Sequence, residues 1–100
     1  MPTYRELLAE HWESISDIIV ANAAPEKRET TMLTMKCYSI DTVIPLISMY
    51  ARKYKSEAAL AESVDMDTVT KLVAMFGITD TDRVQAEILP HIQAMVRMLG

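Results

Sequence analysis

Apolar side chains recur every three or four positions along most of this chain, and that spacing predicts helices. The clearest run follows Thr3, whose hydroxyl can accept a hydrogen bond from the amide of Glu6 and so cap a helix that starts at Tyr4. One side of this helix carries an apolar stripe: Leu8, Trp12, Ile15, Ile18 and Ile19. The opposite side carries four acids: Glu6, Glu10, Glu13 and Asp17. The pattern predicts an amphipathic helix of about five turns with an acidic outer face.

The middle of the chain predicts two further helices. Pro25 suits the first position of one that should run to roughly Tyr38. The segment SIDTVIPLISMYARKY contains β-branched residues that would tolerate a strand, but we favour a helix, because Asp41 can cap it and Pro45 falls near its first turn. Its expected stripe is Val43, Ile47, Tyr50 and Tyr54. Its carboxyl end holds three cations, which the exposed carbonyls favour: Arg52, Lys53 and Lys55.

The second half of the chain shows several helix-capping residues. Ser56 can begin a short helix, and Asp65 or Asp67 can begin the next one. Gly77 can end that helix in the left-handed conformation. The side chains expected to point inward from it are Val69, Leu72, Val73 and Phe76.

The last helix should begin at Thr79 or Asp80. Its apolar stripe consists of Val84, Ile88, Ile92, Met95 and Leu99. Pro90 removes one backbone hydrogen bond and crowds the carbonyl of Ala86, so we expect a kink or a break near Pro90.

These patterns predict an all-α protein in which residues 1–100 form a single helical domain, a compact bundle of about five or six short helices. Half of the 100 residues are apolar, which suits one modest core. Two glycines and four prolines provide too few turn residues for a many-stranded sheet.

Charge and cysteine content narrow the class of protein. The formal net charge of −4 argues against direct nucleic-acid binding through a basic surface. The single cysteine, Cys37, suits a reducing compartment. The first residues do not have the pattern of a secretory signal, and no segment approaches the roughly 20 apolar residues of a membrane span. We therefore expect a soluble cytoplasmic protein with no membrane partner.

Candidate chemistry is sparse. Asp80 and Asp82 could open a calcium loop, but Gln85 and His91 stand where its glycine and glutamate belong. Glu87 and His91 are spaced as ligands, yet known metal motifs need a second copy or a second histidine. His11 borders the apolar stripe and is expected to pack there. With no glycine-rich phosphate loop and no nucleophile elbow, we expect no catalytic, metal or cofactor site, and a protein that is not an enzyme.

The segment LAESVDMDTVTKL, residues 60–72, resembles the helix-turn-helix of DNA-binding regulators. The resemblance implies a recognition helix near Thr68 and Val69, but this pair arrives about two residues too early for that motif. Asp65 stands where the turn usually has glycine, and Lys71 is the only cation of the expected recognition helix. A DNA-binding regulator that uses residues 57–76 remains an alternative, with the basic cluster at residues 52–55 against the DNA backbone.

Apolar surface and acids point instead to a protein partner. The chain is methionine-rich, with eight methionines, and a domain this small cannot bury every apolar residue. The expected leftover surface is the exposed side of PLISMY together with Met95, Met98 and Leu99. The acids of the first helix are explained either as a solvated face or as a docking surface for a basic partner.

We therefore expect a protein that acts by protein–protein interaction, as an adaptor or an inhibitor. One concrete form is a phage-encoded antagonist that covers the basic channel of a nucleic-acid-handling complex with its first helix. Another alternative is a structural homo-oligomer that buries the methionine-rich surface against a second copy.

Overall fold

The computed structural model describes residues 2–53, 59 and 70–99, and within these ranges it contains helices and no strand. The all-α prediction is confirmed. The helices are α1 (Tyr4–Asn22), α2 (Arg28–Cys37), α3 (Ile40–Lys53) and α4 (Thr81–Leu99), with a 3-10 turn at Pro25–Lys27 and a helical segment at residues 70–76. The caps predicted at Ser56, Asp65 and Asp67 and the inward position predicted for Val69 lie outside the described residues.

Helix α1 begins where the capping pattern predicts. The hydroxyl of Thr3 accepts a hydrogen bond from the amide of Glu6 at 3.1 Å, and the Thr3 carbonyl accepts one from the amide of Leu7 at 3.0 Å. These bonds satisfy amides that the first turn of a helix leaves without partners. The predicted stripe is confirmed, because its members are buried or half-buried against the core: Leu8, Trp12, Ile15, Ile18 and Ile19.

Helix α4 packs antiparallel to α1, as two contacts between them show. His11 lies against His91, and the side chain of Asn22 accepts a hydrogen bond from Arg83. The predicted stripe of α4 faces the core throughout: Val84, Ile88, Ile92, Met95 and Leu99. The helix continues past Pro90, so of the expected kink or break the break does not occur. Pro90 has no amide to bond the carbonyl of Ala86. Both residues are exposed, so water can solvate that carbonyl.

Helix α3 confirms the choice of helix over strand for its segment, with Val43 and Ile47 buried. The cap prediction is wrong, because the Ser39 carbonyl accepts the first helical hydrogen bonds, from the amides of Thr42 and Val43. Asp41 instead lies in the first turn, where its carboxylate is free to bind another helix. The side chain of Tyr50 and all of Tyr54 and Lys55 lie outside the described part of the chain.

Gly77 ends the helical segment 70–76 with a φ of +65°, as predicted for a left-handed terminus. Its amide bonds the carbonyl of Val73 at 3.2 Å, and the Phe76 carbonyl accepts from the amide of Ala24 at 3.1 Å. Leu72 and Phe76 are buried as predicted, but Val73 is 52% exposed, so its inward prediction is wrong. A residue next to Leu72 lies about 100° around the helix from it, away from the narrow buried face.

Candidate functional site

The acidic face, defined as Glu6, Glu10, Glu13 and Asp17, lies where the sequence predicts it. All four side chains are exposed on the side of α1 that points away from its buried stripe. Over eleven residues the face extends for about 16 Å along the helix. Its members are three or four positions apart, so neighbouring carboxylates repel one another.

The one Lys or Arg in the sequence of α1 does not neutralise this face. Arg5 binds both carboxylate oxygens of Asp41 on α3, with Nε 3.0 Å from Oδ1 and Nη2 2.7 Å from Oδ2. This hydrogen-bonded pairing lowers the pKa of Asp41 and raises the pKa of Arg5. In the described part of the chain, no ion pair reaches the acidic face. Its negative charge is therefore turned to solvent without a neighbouring cation of its own helix.

A shallow groove between α1 and α2, about 320 Å³ in volume, borders the acidic face at Asp17. Small α1 residues, Ser16 and Ala21, leave room on one wall, and Met32 and Lys36 of α2 line the groove as well. Met32 is exposed, so the groove offers apolar contact beside negative charge. Lys36 lines the same groove as Asp17, so this end of the acidic face has a lysine nearby.

The predicted apolar surface is only partly present. Met95 is fully buried, so it cannot contribute to a surface of the folded protein, and that prediction is wrong. Since α4 is antiparallel to α1, its last turns lie towards the start of α1, and Met95 belongs to the common core. Met98 and Leu99 are half-buried against the core. The exposed side of PLISMY is found, because Leu46 and Met49 remain largely exposed.

An apolar cavity of about 290 Å³ lies between α1, α3, α4 and the segment 70–76. The indole Nε1 of Trp12 donates to the carbonyl of Tyr38 at 2.7 Å and fixes part of the wall. Exposed Leu46 and Met75 are also among its lining residues. Among the described residues, the wall includes Lys71 and Tyr38 but no Asp, Glu or His.

A histidine pair that the sequence pattern did not predict joins α1 to α4. The Nδ1 atoms of His11 and His91 lie 3.0 Å apart, and the ring centroids are 5.3 Å apart. Both rings are half-buried. The Glu87 carboxylate, spaced as a possible co-ligand of His91 in the sequence, instead binds Nη1 of Arg83 at 3.0 Å. Two signals existed in the sequence, a histidine at the edge of each apolar stripe, but only the antiparallel packing brings them together.

Residues of the helix-turn-helix resemblance lie largely outside the described residues, which include only positions 59 and 70–76 of the segment 57–76. Within the part described, Lys71 is exposed, as are Arg52 and Lys53 at the end of α3. The DNA-binding alternative therefore stays a prediction.

Two general findings concern membranes and known proteins. Among the helices that the structure describes, none is both long and apolar enough to cross a membrane. Searches against known protein families, curated proteins and solved structures gave no match.

Proposed function

We propose that this protein acts by binding a second protein through the acidic face of α1, and that the partner presents a basic surface. The observation that carries the proposal is the pairing of Arg5 with Asp41, which leaves the exposed carboxylates of α1 without an ion pair in the described part of the chain. A basic partner relieves the repulsion between these carboxylates and is steered to them by the field that they create.

The groove beside Asp17 adds contacts that charge alone does not provide. Exposed ion pairs contribute about 0.2–1 kcal/mol each, so charge mainly sets the association rate and its salt dependence. Apolar contact with Met32 and with the small wall residues of α1 supports affinity. An amphipathic basic helix fits both features, since it can place cations over the acidic face and apolar side chains in the groove.

This mode of binding suits an adaptor or an inhibitor. In the inhibitor form, the basic surface of the partner is one that otherwise holds the phosphates of a nucleic acid, and α1 covers it. Nucleic acid and this protein then compete for the partner. Competition is measured by titrating the preformed complex with the nucleic acid; simultaneous binding of both contradicts the inhibitor form.

The experiment uses the full chain to capture its partner and then measures binding with purified components. We expect the triple variant Glu10→Gln, Glu13→Gln, Asp17→Asn to bind about tenfold or more weakly at low salt, and to lose most of the salt dependence. Glu6 is left unchanged because it lies in the first turn, where a carboxylate also stabilises the helix. Unchanged affinity and unchanged salt dependence contradict the proposal.

A matched control removes the same charge elsewhere. The triple variant Glu26→Gln, Glu29→Gln, Asp82→Asn neutralises three exposed acids outside α1. We expect it to bind the partner as the unaltered protein does. Equal weakening by both triple variants would mean that net charge, and not the acidic face, directs binding.

A second candidate function is self-association through the exposed apolar residues near the cavity. Leu46, Met49 and Met75 are each about half exposed, an arrangement that a second copy can cover. Sedimentation over a range of concentrations measures this directly. A dimer that Leu46→Lys dissociates supports self-association, whereas a monomer at all concentrations contradicts it.

A further inference from the structure

The contact between His11 and His91 brings together the same atom, Nδ1, of each ring. Both rings present Nδ1, at a separation of 3.0 Å, so one ring must donate a proton and the other must offer a lone pair. The two rings come from separate helices, and the buried stripes of those helices fix their positions. Two nitrogens of the same kind therefore face each other across the interface between α1 and α4.

We propose that His11 and His91 form a two-nitrogen binding site for a divalent cation of the Zn²⁺, Ni²⁺ and Cu²⁺ class. Metal–nitrogen bonds of about 2.0–2.1 Å place two ligands roughly 3.3 Å apart at a tetrahedral angle and roughly 2.9 Å apart at a right angle. The observed 3.0 Å lies between these values. The ring centroids lie 5.3 Å apart, so the two Nδ1 atoms point nearly at each other, and each ring must turn by roughly 30° to direct its lone pair at the ion.

Coordination requires both Nδ1 lone pairs. The ring that donates in the hydrogen bond transfers its proton from Nδ1 to its own Nε2 through water, and both rings then bind the ion through Nδ1. The two neutral rings keep their total number of protons, and no electron is transferred. The ion replaces the shared proton as the link between α1 and α4.

The surroundings determine which cations fit. The nearest acid along α4, Glu87, is held by Arg83, so the pair offers nitrogen and not oxygen. Mg²⁺ and Ca²⁺ prefer oxygen ligands and are not expected to bind. Within the described residues no cluster of three or more His, Cys, Asp or Glu forms a complete site. The ion therefore keeps open positions for water or for an external ligand.

The first test measures thermal unfolding of the full chain with Zn²⁺ or Ni²⁺ alone. An ion that binds the folded state raises Tm, and we expect a rise of several degrees at saturating ion. His11→Gln and His91→Gln should each abolish most of the rise. Cys37→Ser, which removes an exposed thiol, should keep it, and Mg²⁺ should produce none. An equal rise in the histidine variants would overturn the proposal.

The second test needs no variant and is independent of any loss of folding. Long-range ¹H–¹⁵N spectra report the state of each imidazole nitrogen, and we expect Nδ1 of both histidines to shift on addition of Zn²⁺. Unchanged Nδ1 resonances would overturn the site. The proposal does not depend on partner binding by the acidic face, because neither test involves a partner or an acid of that face.

Discussion

The inner and outer faces of helix α1 meet very different demands. On the inner face, Leu8, Ile15 and Ile19 are between 1% and 6% exposed, and they pack into the core that α4 completes. Among the described residues, every buried side-chain nitrogen or oxygen has a hydrogen-bond partner. On the outer face, carboxylates stand exposed without ion pairs in the same part of the chain.

The two faces differ because folding requires apolar residues on the inner face of α1 but does not specify the residues of its outer face. The inner residues are constrained by burial, because shortening a buried side chain leaves a cavity and lowers the stability of the fold. Apart from Glu6, which stabilises the first turn, the fold does not need acids on the outer face; neutral helix-forming residues would remove the repulsion between like charges. Solubility requires surface charge but not the concentration of one sign on a single helix face. The outer face is therefore where selection for binding can act without cost to the core.

The largest effect that we predict tests the inner face with a matched pair. Leu8→Ala should lower the free energy of unfolding by about 2–5 kcal/mol, because Leu8 is 1% exposed and a cavity would remain. Leu7→Ala makes the same change one residue earlier, where the side chain is 37% exposed, and should lower it by less than about 1 kcal/mol. Urea unfolding measures both, and equal losses would contradict the contrast between the two positions.

Gly77→Ala should lower the free energy of unfolding by a smaller amount. This change tests how far the close packing extends beyond the end of α1. The change places a side chain at a φ of +65° and a Cβ 2.9 Å from the Cβ of Ala24. We expect unfolding to become easier by about 1–3 kcal/mol.

Two causes contribute to that loss, and a second background separates them. Repeating Gly77→Ala in a chain that carries Ala24→Gly removes the steric contact but keeps the backbone strain. The loss should become smaller and not disappear. A loss of the same size in both backgrounds would show that the close approach to Ala24 has no effect.

Local features of the fold were predictable from the sequence, because their causes lie within one helix. The cap at Thr3 depends on an amide three residues away, and the left-handed terminus at Gly77 depends on the absence of a Cβ. The acidic face follows from the helical period alone. Its exposure was predictable for the same reason.

Features that depend on a second helix were not predictable. Met95 was expected at a surface, but it is fully buried in the core that several helices form together. Asp41 was expected to cap its own helix, whereas it binds Arg5, 36 residues earlier in the chain. The histidine pair joins residues 80 positions apart. No periodicity encodes these pairings, because they depend on how the helices pack and not on where each begins.

The smallest predicted effect is on the pH dependence of stability, and it tests the ion pair between Arg5 and Asp41. Because the pKa of Asp41 is lower in the folded protein than in the unfolded chain, this carboxylate stabilises the fold above its ordinary pKa of about 4, and that contribution is lost as the pH falls through the lowered value. Asp41→Asn should therefore flatten the acid side of the stability profile measured by urea unfolding between pH 7 and pH 2.5. Arg5→Gln should do the same, and the double variant should add nothing to either change. A profile unchanged by Asp41→Asn would mean that Arg5 is available to the acidic face after all.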